Sequence, residues 1–121
     1  MTVREVPFDP ASGRLDRDAF ADALSERTRW VALGAASNAI GTVNDVAGLA
    51  GMAREAGARV FVDAVHYAPH GRIDVTALGI DALGCSPYKF YGPHAGVLFV
   101  GAELQEALDV PRLCLLYTSD A

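Results

Sequence analysis

The sequence predicts an α/β fold, with a mostly parallel sheet and flanking helices. Residues 30–35 and 60–62 are short continuous apolar runs, which are typical of buried strands. Between them, apolar residues recur at i, i+3, i+4 and i+7, the spacing of one helix face: Val46, Leu49, Ala50 and Ala53. A strand, a helix and a strand over about thirty residues form a βαβ unit, whose strands are parallel.

Two further elements precede this unit. Residues 3–6 predict a short strand, ended by Pro7 and by the turn-rich segment 9–13. A helix is predicted next, with Asp16 as its N-cap. Leu15 and Phe20 fall at the positions of a hydrophobic staple, which would fix the angle at which the chain enters this helix.

The rest of the chain continues the alternation of strands and helices. The helix of the βαβ unit is predicted over residues 44–56, after the loop 37–42, with Gly57 as its stop. The apolar run at residues 82–85 predicts a third strand. Residues 95–100 follow a turn signal at Gly92 and Pro93 and predict a strand that pairs antiparallel. No internal repeat or linker is visible, so a second domain is not expected.

Composition narrows the class of protein. The 121 residues are 51% hydrophobic and 21% charged, as expected of a folded globular protein. A net charge of −5 argues against a nucleic-acid partner. The start has no secretory pattern and no apolar stretch reaches the roughly 20 residues of a membrane helix, so a cytoplasmic protein without a membrane partner is expected. Cys85 and Cys114 are too few for a disulfide framework and lack metal-ligand spacing, so no metal is expected.

Five polar residues follow the carboxyl ends of successive predicted strands: Asn38, Asp63, His66, Ser86 and Lys89. In open α/β sheets, ligands bind at that edge. The sequence therefore predicts a binding site there. A nucleotide site is disfavoured because the sequence contains neither a G-x-G-x-x-G motif nor a Walker loop.

Asp63 and Lys89 are the pair that pyridoxal phosphate chemistry requires. A lysine amine condenses with the aldehyde of this cofactor, and a carboxylate keeps its pyridine nitrogen protonated so that the ring accepts electrons. The alternative for Lys89 is a solvated surface lysine, although its aromatic neighbours disfavour full exposure. The alternative for Asp63 is a helix cap or a turn former.

Four other residues are candidate cofactor ligands. Ser86 could donate its hydroxyl to the phosphate or cap the turn that follows it, and Tyr88 could reach the phosphate or pack. Asn38 and His66 could hydrogen-bond the phenolic oxygen of the cofactor. Their alternatives are an ordinary loop residue and a structural histidine.

Four segments together resemble the class V (fold-type I) pyridoxal phosphate enzymes, most closely the cysteine desulfurase-like group: residues 3–9, 36–42, 62–70 and 85–94. The resemblance covers roughly residues 3–101. It implies that Lys89 is the lysine that binds the cofactor covalently and that Asp63 faces the pyridine nitrogen. It also implies that Asn38 contacts the phenolic oxygen and that Ser86 binds the phosphate. His66 stands where many desulfurases have glutamine, and Tyr88 replaces the histidine that usually precedes the lysine.

The resemblance further implies that the chain is part of a larger enzyme. Residues 1–112 are expected to be part of the cofactor-binding large domain, without its N-terminal part and without the C-terminal small domain. Residues 113–121 match nothing in the family and are expected to be a non-native tail. The expected activity is that of a cysteine desulfurase-like enzyme acting on a small amino acid, as a homodimer. The alternatives are a class V aminotransferase or another amino-acid lyase, and an incomplete domain that has no activity of its own.

Overall fold

A four-stranded sheet organises the chain, of which the computed structural model describes residues 2–109. Its strands are β1 (Trp30–Gly34), β2 (Arg59–Asp63), β3 (Ala82–Cys85) and β4 (Val97–Val100), and they lie side by side in sequence order. The first three are parallel, whereas β4 runs antiparallel to β3. The predicted mostly parallel sheet with an antiparallel last strand is therefore confirmed.

In the described part of the chain, four α-helices accompany the sheet: α1 (Arg17–Ala23), α2 (Val46–Glu55), α3 (Val75–Leu78) and α4 (Ala102–Ala107). The predicted N-cap of α1 is confirmed, because the Asp16 carboxylate accepts hydrogen bonds from the backbone amides of Asp18 and Ala19, both at 3.0 Å. Helix α2 starts two residues later than predicted, with Asp45 as its N-cap. It stops before Gly57, whose φ of +79° is the left-handed conformation expected there.

The core lies between the sheet and α2. Alternate residues of the strands point to this side and are buried: Val31, Leu33, Val60, Val62 and Leu83. The apolar stripe predicted on α2 is also buried, so the helical spacing in the sequence is confirmed. The opposite face of the sheet is more open, with Trp30 50% exposed and Leu98 63% exposed.

The strand predicted at residues 3–6 is wrong. This segment has no regular structure, and nearby only an isolated bridge between Phe8 and Leu15 forms. A strand requires a neighbouring strand for its backbone hydrogen bonds, and none of β1 to β4 pairs with this segment. Helices α3 and α4 were not predicted, because four and six residues are too few to show a helical period. The segment 113–121 lies outside the described residues.

Among residues 2–109, no helix has both the length and the apolar character that crossing a bilayer requires. In the same part of the chain, no group of three or more His, Cys, Asp or Glu side chains could hold a metal ion.

Candidate active site

The register of the parallel strands sets Asp63 at the centre of the candidate site. Asp63 ends β2 and lies opposite Gly34 of β1 on one side and Gly84 of β3 on the other. Its two lateral neighbours therefore have no side chains. The carboxylate stands on the more open face of the sheet, between two stretches of bare backbone.

The space around this carboxylate is large enough for a flat ring. A Cβ at Gly34 would meet no atom within 4 Å, and a Cβ at Gly84 would come within 3.3 Å of Phe61 Cζ. An open hollow of about 440 Å³ lies here, lined by Phe61, Asp63, Val65, Gly84, Cys85, Gly96, Val97 and Leu98. Small-molecule sites typically have volumes of about 300–1,000 Å³. Any side chain at position 84 would fill part of the hollow.

The Asp63 carboxylate also shapes the turn that follows it. Its Oδ1 accepts a hydrogen bond of 2.9 Å from the backbone amide of Val65. The turn-forming alternative raised by the sequence is thus observed. It leaves ligand binding possible, because a carboxylate has about four acceptor positions and Asp63 is exposed.

Lys89 lies on a short 3-10 helix (Pro87–Phe90) directly after β3. This helix ends at Tyr91, whose φ of +66° is left-handed, and the amide of Gly92 then donates to the carbonyl of Pro87 at 2.9 Å. Lys89 is exposed, and it is the only lysine in the whole sequence. Any chemistry that needs a lysine side chain in this chain must therefore use Lys89.

Ser86 occupies the N-cap position of the 3-10 helix but does not cap it with its side chain. Its backbone carbonyl accepts a hydrogen bond of 3.1 Å from the amide of Lys89. The capping alternative for this serine is therefore not observed. Its half-buried hydroxyl is not engaged in helix capping, so capping does not compete with a ligand for it.

Asn38 and His66 occupy turns after β1 and β2, at the same edge of the sheet as Asp63. Asn38 is exposed in a turn that Ser37 stabilises, whose Oγ accepts from the amides of Ala39 and Ile40 at 3.3 and 3.4 Å. His66 is half-buried in a turn built on the carbonyl of Ala64. The parallel strands bring all five predicted polar residues to one edge. The structure does not join their side chains by hydrogen bonds.

The sequence analysis missed Asn44, whose side chain supports the loop that carries Asn38. Its Oδ1 accepts from the amide of Leu15 at 3.0 Å, and its Nδ2 donates to the carbonyl of Gly34 at 2.8 Å. Only asparagine and glutamine carry a side-chain amide, which offers both a hydrogen-bond donor and an acceptor. An asparagine in a loop is therefore the signal that could have identified Asn44.

The turn at residues 9–14 supports the same loop from the N-terminal side. The Thr42 hydroxyl donates to the carbonyl of Gly13 at 2.9 Å. The turn is itself held by Asp9, whose carboxylate accepts from the amides of Ala11 and Ser12, both at 3.0 Å. The side chain of Ser12, followed by these two amides, lowers the pKa of the Asp9 carboxyl below its ordinary value.

A second residue missed by the sequence analysis is His94. Its imidazole stacks on the ring of Tyr88, with ring centroids 5.0 Å apart and planes inclined by 13°. The Nζ of Lys89 lies 5.2 Å from the centroid of the same Tyr88 ring. Gly92 and Pro93 signalled that the chain turns back here, but which residue would then reach Tyr88 depends on the strand register.

Comparison with known proteins agrees with this architecture. The family model for aminotransferase class-V matches residues 1–114. The chain is 40% identical over 103 residues to the aminotransferase-like protein FGM3 of Gibberella zeae, covering 84% of this chain and 26% of that protein. It is 39% identical over 109 residues to a cysteine desulfurase of Dickeya dadantii, covering 89% of this chain and 26% of that protein.

Solved structures show the same fold. The cysteine desulfurase CsdA of Escherichia coli, in an S-sulfonic acid form, aligns with a TM-score of 0.78 at 37% identity, covering 84% of this chain and 26% of that one. The apo cysteine desulfurase of Thermococcus onnurineus aligns with a TM-score of 0.77 at 30% identity, covering 85% of this chain and 26% of that one. The chain spans about a quarter of the length of these relatives. Since the family model matches nearly the whole sequence, the chain belongs to the class-V aminotransferase family.

Proposed function

We propose that this chain is part of a pyridoxal phosphate enzyme that acts on a small amino acid, with cysteine desulfuration as the reaction. The observation that carries the proposal is the strand register, which sets Asp63 between two glycines at the edge where the single lysine follows the next strand. In this proposal residues 1–112 form part of the large domain of the enzyme. The family uses pyridoxal phosphate.

The residues at this edge fit the cofactor. The gap over Gly34 and Gly84 would take the flat pyridine ring, and Asp63 would accept a hydrogen bond from its protonated nitrogen. The Lys89 amine would bind the aldehyde carbon covalently. Ser86 and Tyr88 would donate hydroxyl hydrogen bonds to the phosphate, and Asn38 and His66 would contact the phenolic oxygen. When bound, pyridoxal phosphate supplies a ring that accepts electrons from the α-carbon of an amino acid.

Each of the two principal residues then has a defined task. With the substrate amine bound, the Lys89 amine would be the base that takes the proton from the substrate α-carbon. The Asp63 carboxylate would hold the proton on the pyridine nitrogen, so that the ring could accept negative charge from the α-carbon.

Cysteine as the substrate is supported by the names of the relatives, several of which are cysteine desulfurases. Transamination, or another lyase reaction, is the second candidate, and the name of the Gibberella zeae relative favours it. The two differ in their products. A polypeptide of the relatives' length that contains this chain would release sulfide from cysteine in the first case and a keto acid in the second.

A third candidate is that the described domain has no activity by itself. The exposure of Trp30 and Leu98 on the open face of the sheet favours it, because both faces of a parallel sheet are normally covered. In the leading proposal, by contrast, the parent enzyme is a homodimer located in the cytoplasm. A broad thermal transition and dye binding to apolar surface would support the inactive domain, whereas a sharp cooperative transition would count against it.

Trapping of the cofactor tests the leading proposal directly. The purified chain is mixed with pyridoxal phosphate and reduced with borohydride, and the modified peptide is mapped by mass spectrometry. Because the chain has one lysine, the label can reach only Lys89 or the amino terminus. We expect label on Lys89, its loss in Lys89→Arg, and weaker labelling in Asp63→Asn. Label confined to the amino terminus would show that this chain does not capture the cofactor through Lys89, and it would favour the third candidate, the domain without activity of its own.

A further inference from the structure

The loop between β3 and β4 brings three side chains together that the proposed function uses only in part. The Tyr88 ring has the imidazole of His94 stacked on it at 5.0 Å and the Nζ of Lys89 at 5.2 Å from its centroid. The centroid separation and the small interplanar angle are those of an aromatic stack. The position of Nζ lies inside the limit of about 6 Å for a cation–π interaction.

The backbone of the loop holds this arrangement. The register of β3 and β4 pairs Cys85 with Val97 and so fixes both ends of the loop. At its tip, a Cβ on Gly92 would come within 2.6 Å of Pro87 Cβ and 2.9 Å of Pro87 O, so only glycine allows the chain to fold back this closely. The fold-back carries His94 over Tyr88.

We propose that Tyr88, supported by His94, is a positioning residue that holds the Lys89 ammonium group against its aromatic face until a ligand takes the amine away. The attraction at a solvent-exposed site keeps the amine at the ring about two- to five-fold more often than it would otherwise be there. His94 has no contact with the amine in this role. It limits rotation of the ring of Tyr88, a residue that is 43% exposed.

The importance of this contact for catalysis rests on the proposed function, in which Lys89 is the reacting amine, but its test does not use the cofactor. The single lysine makes a clean measurement possible. When the chain is labelled with ¹³C-lysine, the ε-methylene group of Lys89 gives one signal. An ammonium held over an aromatic face has this signal shifted upfield by the ring current.

We expect an upfield signal in the natural chain, a similar signal in Tyr88→Phe, which keeps the aromatic face, and a random-coil signal in Tyr88→Leu. His94→Ala should give an intermediate shift. In parallel, reductive methylation of Lys89 by formaldehyde should be about two- to five-fold faster in Tyr88→Leu than in Tyr88→Phe. A merely structural role for Tyr88 would move neither quantity in a folded variant.

An unshifted signal in the natural chain, or equal signals in Tyr88→Leu and Tyr88→Phe, would overturn the inference. If Tyr88→Leu does not fold, the natural chain and His94→Ala still decide, because both keep Tyr88. An upfield signal in a chain that fails to trap pyridoxal phosphate would support the inference while favouring the domain without activity of its own over the leading proposal. Trapping without the upfield signal would do the reverse.

Discussion

Replacement of Asp81 should weaken the connection between the two strands that carry the site. Asp81 directly precedes β3, and its Oδ2 accepts a hydrogen bond of 2.7 Å from the amide of Val60 in β2. Val60 is fully buried, so in Asp81→Ala its amide loses this acceptor in a place that water reaches poorly. The Oδ1 of Asp81 also lies 3.5 Å from Arg59 Nη1.

The size of the effect follows from these two contacts. A hydrogen bond to a charged group contributes about 1.5–3 kcal/mol. The Asp81 side chain is 23% exposed, which favours the lower half of this range. The Arg59 ion pair, partly exposed on both sides, adds about 0–1 kcal/mol. We therefore expect Asp81→Ala to lower the free energy of unfolding by about 2–3 kcal/mol. Asp81→Asn keeps an uncharged acceptor and should lose about 1 kcal/mol.

Urea unfolding followed by circular dichroism measures these differences. For a domain of this size, the larger loss corresponds to a midpoint lower by roughly 1 M urea. Arg17→Ala is the matched control. It removes an ion pair with Asp45 that is shorter, at 3.2 Å, but whose side chains are 56% and 64% exposed. Arg17→Ala should lower the free energy of unfolding by less than about 1 kcal/mol. Equal stability of Asp81→Ala and Asp81→Asn, or a larger effect of Arg17→Ala, would refute the reasoning.

Three other outcomes are expected. Gly84→Val should abolish trapping of pyridoxal phosphate, because the new side chain fills the hollow beside Asp63; trapping at the natural level would show that the cofactor does not lie there. Gly51→Ala is its control, since a Cβ there meets no atom within 4 Å. Thermal melting should show a free energy of unfolding higher by about 0.5–1 kcal/mol, because alanine is more stable than glycine within a helix, and trapping should be unchanged. Thr42→Val should lower the free energy of unfolding, measured with urea, by about 1 kcal/mol, because the hydrogen bond to Gly13 is lost. Thr42→Ser keeps the hydroxyl and should retain most of this free energy. Equal losses in the two variants would assign the effect to the methyl group instead.

Much of the fold could be predicted because its signals are local. The buried strands are continuous apolar runs, and α2 carries its apolar residues at helical spacing, so each element is visible in a window of a few residues. The wrong strand at residues 3–6 has the same kind of local signal. It failed because pairing depends on a distant partner, which local sequence does not report.

In the candidate site, too, local features could be predicted from the sequence and features that depend on distant contacts could not. Its position at the edge of the sheet follows from the order of strands, so Asp63 and Lys89 could be located from the sequence. The glycines beside Asp63 could not, because their proximity depends on the register between strands. The stack of His94 on Tyr88 depends on the path of a whole loop, and the support of the Asn38 loop by Asn44 depends on a contact 29 residues away.

The order of the strands bears on how the chain acquires its structure during synthesis. Within residues 2–109, each of β2, β3 and β4 pairs with the strand made immediately before it, so its partner has already been synthesised when it leaves the ribosome. Lys89 follows Asp63 by 26 residues, which at about 5–20 residues per second is a delay of roughly 1–5 s. The acidic half of the candidate site can therefore be in its final register on β1 and β2 before the lysine is translated.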